Sequence, residues 1–283
     1  MLQRLLSSEM NKKELLVLLE EFNNFHPGKV LGQNFLIDNN LLDFIIRTAD
    51  PQPGEIILEV GPGFGALTRK LLDAGAEVYS IEFDYRICDF LRKHSLPGNF
   101  HLIEGDACQV NYSDFLPPGK PFRSVANLPY AISSIFLARL LEMETPPLNM
   151  LFMLQKEMGM RLASGPGTRN YGSLSVRTQL LYDVKLLRTV PPQVFFPQPE
   201  VESAIVQFKL KSEIPDMESR RQVNELAKVM FAQKRKQIFK PLLGFYDQQA
   251  VENALAELSI SREARAGDFS ADIYLKLAKL LNQ

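Results

Sequence analysis

The sequence predicts an α/β protein in which a doubly wound parallel sheet is followed by a small all-α domain. Three observations predict it. From about residue 26 to about residue 155, short apolar segments typical of buried strands alternate with longer segments that suit crossover helices. A glycine-rich turn follows the first of these strands, as in folds that bind a ligand at the carboxyl edge of the sheet. After Lys211 the patterns are helical only, which indicates a separate helical domain.

The composition is that of an ordinary globular protein. The chain of 283 residues is long enough to bury a sizeable core without covalent staples. Hydrophobic residues make up 46% of it and charged residues 23%, which excludes a disordered or fibrous protein. The formal net charge of -1 argues against a uniformly basic nucleic-acid binder but does not exclude local basic clusters.

The cysteines and the N-terminal pattern exclude two further classes. Only Cys88 and Cys108 are present, without a CxxC spacing, so we expect neither a disulfide framework nor a metal site. The apolar run at residues 15–19 is short and is followed at once by Glu20 and Glu21, which does not suit a signal peptide or a membrane-spanning helix. We therefore expect a cytoplasmic protein without a membrane partner.

Residues 1–25 are predicted to form a helical extension that packs against the protein or caps it. Its apolar residues recur at helical spacing, and the pattern ends before the His-Pro-Gly break at residues 26–28. These apolar residues are Leu15, Leu18, Leu19 and Phe22.

Residues 26–211 are predicted to form the sheet domain. Its parallel strands are expected at residues 56–60, 77–82, 100–103, 124–126 and 149–154. Residues 184–190 and 201–210 flank a proline-rich loop, and we expect them to form an antiparallel pair at the edge of the sheet. Such a pair would end the domain.

Residues 212–283 are predicted to form the helical domain. A short polar linker at residues 212–216 leads into three segments of helical periodicity, at about residues 218–240, 247–258 and 270–281.

Three successive strand ends carry groups suited to a nucleoside. Gly61 and Gly63 permit a tight turn whose amides approach a ligand at a helix N-terminus. Glu82 stands where a carboxylate accepts hydrogen bonds from both ribose hydroxyls, and Asp106 suits an adenine amino group. Taken singly, each could also be a structural turn, a solvated acid or a cap. The pattern alone does not separate S-adenosylmethionine from NAD.

The tetrapeptide Asn127-Leu128-Pro129-Tyr130 after the fourth strand indicates which reaction the site carries out. The exocyclic amine of adenine is a poor nucleophile because its lone pair is delocalised into the ring. If the Asn127 side-chain oxygen and the Leu128 carbonyl accept its two hydrogens, the lone pair is freed to attack a sulfonium methyl group. Tyr130 offers a face for an unstacked base. The same tetrapeptide elsewhere would be a structural turn.

These residues resemble the ribosomal RNA adenine dimethyltransferase family, most closely its bacterial small-subunit members. The resemblance covers about residues 29–283, and it lies in six motifs: GQNFL from Gly32, EVGPG from Glu59, NLPY from Asn127, MLQKE from Met153, YGSLS from Tyr171 and FxPxPxVxS from Phe195. It implies a Rossmann-like methyltransferase sheet that uses S-adenosylmethionine to dimethylate two adjacent adenosines near the 3' end of small-subunit (16S) rRNA during ribosome assembly.

The resemblance also implies roles that the residues alone do not suggest. It assigns cofactor contacts to Asn34 and Leu36, in a segment that otherwise suits a loop before a helix, and it places Asn127 near the cofactor as well. It suggests that Phe195 sandwiches the target base opposite Tyr130, although Phe195 alone would be interpreted as core. The chain departs from the family at Ala131, where many relatives carry asparagine, and in its longer N-terminal extension.

A cluster of cations in the helical domain suggests where RNA binds. The segment 218–240 is rich in lysine and arginine, so it can contact phosphates although the whole chain is near neutral. The alternative is a solvated helix face. The residues that we expect to bind RNA are Arg221, Lys234, Arg235 and Lys236. We expect the partner to be small-subunit rRNA within the assembling 30S particle, bound by a monomer.

Three other functions fit part of the pattern. A dehydrogenase would use the same fold but would leave the NLPY motif without a purpose. A large-subunit rRNA adenine methyltransferase shares every motif named above. A noncatalytic ribosome-assembly factor is expected to lose cofactor or NLPY residues, and all of them are present here.

Overall fold

A computed structural model describes Lys13, Leu15, Leu16, Leu19 and residues 33–94 and 96–282. The chain forms two compact units. The first, here called the sheet unit, consists of Met1–Arg139, Pro147–Lys156 and Leu186–Gln207. The second, here called the helical unit, consists of Leu140–Pro146, Glu157–Lys185 and Phe208–Gln283. The division of roles among residues 1–25, 26–211 and 212–283 stays a prediction.

Nine strands and ten α-helices are numbered in the described residues 33–94 and 96–282. The strands are β1 (Phe35–Leu36), β2 (Ile56–Val60), β3 (Glu77–Glu82), β4 (Phe100–Glu104), β5 (Arg123–Asn127), β6 (Asn149–Gln155), β7 (Tyr182–Val190), β8 (Phe195–Phe196) and β9 (Ser203–Leu210). The helices are α1 (Asn39–Ala49), α2 (Ala66–Asp73), α3 (Tyr85–Lys93), α4 (Ser133–Leu141), α5 (Lys156–Ala163), α6 (Ser173–Leu181), α7 (Met217–Ala232), α8 (Phe239–Leu243), α9 (Gln248–Glu257) and α10 (Ala271–Leu281).

Seven strands form one sheet in the order β4-β3-β2-β5-β6-β9-β7, and the pairs β2-β3, β3-β4, β2-β5 and β5-β6 are parallel. The predicted α/β fold and its five parallel strands are confirmed. The two later strands, β9 and β7, are neighbours at the edge of the sheet, as expected. The strand order reverses between β2 and β5, and open α/β sheets bind ligands at such a point.

The first parallel strand, β2, is predictable because its burial is continuous. All five residues of β2 are buried, as expected where both faces of a parallel sheet are covered. One core cluster joins α1 and α2 to the sheet through Leu42, Leu71 and Ile57. Because β2 is packed on all sides, the loop that follows it is held in a fixed position.

The N-terminal extension is described at only four residues. Lys13, Leu15, Leu16 and Leu19 are helical. Leu15 and Leu19 are buried in a core cluster that also contains Phe90. These two leucines agree with a packing role for the extension, whereas Leu18 and Phe22 lie outside the described residues.

The helical unit contains the predicted helices at about 247–258 and 270–281, as α9 and α10. For the predicted helix at 218–240, the predicted C-terminal end is wrong, because α7 ends at Ala232. Lys234 then donates hydrogen bonds to the carbonyl oxygens of Arg169 and Tyr171, and the following segment brings Ile238 into the core with 1% of its surface exposed. A continuous helix could not make both contacts.

Neither a membrane span nor a metal cluster occurs in the part of the chain that the structure describes. Across residues 33–94 and 96–282, no helix is both long enough and apolar enough to span a bilayer. Within the same ranges, no group of three histidine, cysteine or acidic residues is placed to hold a metal ion.

Candidate active site

The carboxyl ends of four parallel strands surround a cavity of about 230 Å³ in the sheet unit. The strands are β2, β3, β4 and β5, and the segment that contains β1 closes the cavity from another side. The predicted site residues among those lining it are Asn34, Leu36, Gly61, Gly63, Glu82, Asp106, Asn127, Leu128 and Tyr130. The fold therefore brings nine residues from distant motifs to one place.

The loop after β2 has a backbone that favours glycine. Gly61 and Gly63 have φ values of 69° and 54°, in the left-handed region. A Cβ atom at Gly63 would lie 3.0 Å from the ring of Phe35, and one at Gly61 would lie 3.4 Å from Pro129. The two glycines thus allow the loop to lie close against both neighbouring segments at the edge of the cavity.

Two buried carboxylates stand beneath and beside this loop. Glu82 is 7% exposed, and burial raises the pKa of its carboxyl to about 7, although amide hydrogen bonds, among them one of 2.8 Å from Asp84 to Oε1, oppose the shift. Glu59 is 1% exposed and accepts hydrogen bonds from Thr68 and Ser80 at 2.7 and 2.6 Å, and burial raises its pKa to about 7 as well. Glu59 therefore ties α2 and β3 to β2, and both carboxylates are among the residues that line the cavity.

The loop after β4 is held from two sides. Asp106 accepts a hydrogen bond from the Cys108 amide at 2.8 Å through Oδ1, so this carboxylate also caps its own turn. Arg139 on α4 donates to the carbonyl oxygens of Cys108 and Val110, and its guanidinium lies 5.1 Å from the centre of the Tyr112 ring. These contacts hold the Asp106 carboxylate in place at the edge of the cavity.

The NLPY segment presents two oxygen atoms. The Asn127 Nδ2 atom donates to the carbonyl oxygen of Asn34 at 3.0 Å, which turns the side-chain oxygen the other way. The Leu128 amide donates to the carbonyl of Met153 at 3.2 Å, whereas the Leu128 carbonyl accepts no hydrogen bond from the described residues. Asn127 Oδ1 and the Leu128 carbonyl are therefore the two acceptors that this segment leaves available.

Tyr130 is fixed through its hydroxyl group. Its oxygen lies 2.6 Å from Oγ of Ser203, the first residue of β9, and Ser203 is fully buried. Burial raises the pKa of the Tyr130 phenol, which therefore stays neutral at physiological pH. The ring thus has a fixed position on the lining of the cavity.

Phe195 is not brought to the cavity. Its side chain is 1% exposed and belongs to the core cluster, where its strand partner is Leu36. The burial agrees with the core interpretation, and stacking on a base would require the ring to leave this core. The stacking role that the resemblance suggests stays a prediction.

Three contributors to the site were not predicted. Phe35 and Glu59 support the glycine loop, and Ser203 holds Tyr130. Each lies within a motif that carries the resemblance, so the motifs contained the signal. Their roles depend on side-chain contacts across the fold, which the spacing of residues does not give.

The four cations predicted to bind RNA all lie in the helical unit but differ in their surroundings. Arg235 and Lys236 are exposed in the turn after α7, and Arg221 is exposed on α7 with its nearest carboxylate, Glu218, at 3.9 Å. Lys234 is half-buried and is hydrogen-bonded to two backbone carbonyls. Only the first three are therefore open to a partner.

Comparisons with known proteins agree on one family. A family model described as ribosomal RNA adenine dimethylase matches residues 24–283. The ribosomal RNA small subunit methyltransferase A of Herminiimonas arsenicoxydans is 38% identical over 256 residues, which cover 90% of this chain and 98% of that protein. The protein of the same name from Alkaliphilus metalliredigens is 34% identical over 265 residues, covering 90% and 92%.

Two solved structures are also similar. A dimethyladenosine transferase from Plasmodium falciparum has a TM-score of 0.73 and 27% identity, and the match covers 86% of this chain and 95% of that one. The 23S rRNA methyltransferase ErmE has a TM-score of 0.66 and 27% identity, with 88% and 100% covered. The similarity thus extends across both compact units.

Proposed function

Because this chain belongs to the ribosomal RNA adenine dimethylase family, we propose that it dimethylates N6 of two adjacent adenosines near the 3' end of small-subunit rRNA, with S-adenosylmethionine as the methyl donor. The observation that carries the proposal is the pair of acceptors in the NLPY segment, Asn127 Oδ1 and the Leu128 carbonyl, on the lining of a nucleoside-sized cavity. Two acceptors match the two hydrogens of an adenine amine.

The cavity fits the cofactor. The glycine loop brings its backbone to the lining of the cavity, and Glu82 and Asp106 offer carboxylates for ribose hydroxyls and for the adenine amino group. S-adenosylmethionine, when bound, supplies an electrophilic sulfonium methyl group. The protein's part is to bind the cofactor, to exclude water and to orient the target amine.

Asn127 and Leu128 activate the target amine by accepting its hydrogens. Hydrogen bonds to both hydrogens favour a pyramidal nitrogen with a localised lone pair, and they strengthen as positive charge develops on that nitrogen. The amine proton becomes acidic once the methyl group has been accepted, so a strong base is not needed. In agreement, no histidine is among the described residues that line the cavity.

Tyr130 stacks against the target base. An adenine inside folded RNA must leave its stack before a methyltransferase can reach N6, and an aromatic face replaces the lost stacking. The hydrogen bond between the Tyr130 hydroxyl and Ser203 holds the ring in one orientation, which lowers the entropy cost of binding the base.

The substrate is small-subunit rather than large-subunit rRNA. Relatives at 34% and 38% identity over 90% of the chain carry the name of the small-subunit enzyme, whereas the 23S rRNA methyltransferase is 27% identical. A dehydrogenase would have no use for the acceptor pair. We place the reaction in the assembling 30S particle in the cytoplasm, carried out by a monomer that needs no metal.

A transfer assay tests the proposed function. Purified protein is incubated with methyl-labelled S-adenosylmethionine and either small subunits that lack the modification or large subunits. We expect label in the RNA of the small subunit only. Label in the large subunit alone would support the large-subunit alternative, and RNA binding without any transfer would support a noncatalytic assembly factor.

Cofactor affinity should depend on pH through Glu82. Ribose hydroxyls donate to the ionised carboxylate, whose pKa burial raises to about 7. Affinity for S-adenosylhomocysteine is therefore expected to fall by up to about tenfold for each pH unit below about 7, and to level off above it. Calorimetry between about pH 5.5 and pH 8 measures this. Glu82→Gln should remove the slope, and a slope that survives in this variant would assign it to another group.

The stability of the unliganded protein should depend on pH with the opposite sign to the cofactor affinity. A raised carboxyl pKa favours the neutral form in the folded state, so the contribution of Glu82 to stability is present below its ordinary pKa of 4.5 and is lost as pH rises through about 7. We expect Glu82→Gln to melt higher than wild type at pH 8, with the difference smaller at pH 5. An equal difference at both pH values would contradict the assignment.

Exposed cations after α7 should bind the RNA backbone. Lys236→Glu and Arg235→Glu are expected to weaken binding of small-subunit rRNA. The slope of log affinity against log salt concentration should become shallower by about one unit for each phosphate that the variant no longer neutralises. Lys276→Glu reverses another exposed lysine of the helical unit and serves as the matched control. If all three variants keep the wild-type slope, Arg235 and Lys236 only form a solvated surface.

A further inference from the structure

A second cavity, of about 280 Å³, lies within the helical unit. It is formed by α6, by the first two turns of α7 and by the end of α4. The residues that line it are Leu141, Glu142, Arg177, Leu180, Leu181, Met217, Arg220, Arg221 and Asn224. Three guanidinium groups and one carboxylate thus share a small space.

The guanidinium groups are only partly used by the protein. Arg177 donates through Nη2 to Glu142 at 2.9 Å, and its Nε and Nη1 atoms make no hydrogen bond with the described residues. Arg220 donates to the carbonyl oxygens of Pro215 and Met143 at 2.7 and 2.9 Å, and its Nη2 likewise has no partner in the described chain. These backbone contacts fix the Arg220 head group, so an anion would meet donors that are already in place.

We infer that this cavity binds one nucleotide of the RNA substrate through its phosphate, which contacts Arg177, Arg220 and Arg221. The inference rests on the proposed function for its choice of RNA. It assigns the helical unit a nucleotide pocket in addition to the exposed cations Arg235 and Lys236. The charge balance of the lining, three cations against Glu142, favours a phosphodiester.

The probe for the pocket is CMP, added to protein saturated with S-adenosylhomocysteine, and arginine side-chain NMR signals report binding. Arg177→Gln is expected to weaken CMP binding by about tenfold or more. Arg262→Gln is the matched control, because Arg262 also pairs with a glutamate, at 3.0 Å, but does not line the cavity. Equal CMP affinity in the two variants would overturn the pocket.

The salt dependence of binding to small-subunit rRNA then tests whether the ligand of the pocket is RNA rather than a free nucleotide. Arg177→Gln should lower the slope by about one unit. An unchanged slope would mean that the pocket takes free nucleotides and would overturn the assignment to RNA. Methyl transfer by the wild-type protein is measured separately, so failure of the pocket and failure of the proposed function give different results.

Discussion

Asn127→Ala is expected to lower the single-turnover rate of methyl transfer by about 10² to 10³ at saturating cofactor. The side-chain oxygen acts mainly on the amine as it becomes pyramidal, so its contribution appears in the transition state rather than in binding. The variant also loses the hydrogen bond to the Asn34 carbonyl, at 3.0 Å, so a smaller loss of cofactor affinity accompanies the rate effect.

The control is an asparagine on the neighbouring strand. Asn149 begins β6, at the opposite end of that strand from the site, and does not line the cavity, so Asn149→Ala should transfer methyl groups at the wild-type rate. Immature small subunits are the substrate for all three proteins. If Asn127→Ala proceeds close to the wild-type rate, the proposed role of the acceptor pair is wrong.

Glu82→Ala is expected to weaken S-adenosylhomocysteine binding by about 1.5 to 3 kcal/mol, roughly 10- to 150-fold, because hydrogen bonds to a charged acceptor are removed. RNA binding should change far less. Calorimetry above pH 7 measures the loss, since the carboxyl, with a pKa of about 7, is then largely ionised.

Glu104→Ala provides a matched control for this loss. Glu104 ends β4, pairs in register with Glu82 across the sheet and forms an exposed ion pair with Arg92 at 2.8 Å. It does not line the cavity, so cofactor affinity should be unchanged. Equal effects of the two substitutions would remove Glu82 from the cofactor site.

The parallel sheet could be predicted because short segments rich in apolar residues alternate with longer segments that suit crossover helices. The end of α7 could not, because the residues from Gln233 to Lys236 have good helix propensity. The helix stops at Ala232 owing to contacts made elsewhere in the fold, namely those of Lys234 with two carbonyls and the burial of Ile238. Tertiary contacts overrode local preference at this point.

The candidate site likewise has residues that the sequence predicts and contacts that it does not. Glycines, Glu82, Asp106 and the NLPY segment are predictable because each follows a strand, and the ends of parallel strands meet at one edge. The hydrogen bond between Tyr130 and Ser203, which are 73 positions apart, is not implied by any local pattern. Phe195 lies in the core because it is on the buried face of β8. A strand of only two residues is too short for the sequence to show which of its residues faces the core.

The most direct test of the central claim is mass spectrometry of rRNA fragments after purified protein has acted on small subunits that lack the modification. The proposed mechanism predicts N6,N6-dimethyladenosine at two adjacent positions near the 3' end of small-subunit rRNA, dependent on S-adenosylmethionine and nearly absent with Asn127→Ala. Methylation at a ring nitrogen, at a ribose or on a base other than adenine would contradict it.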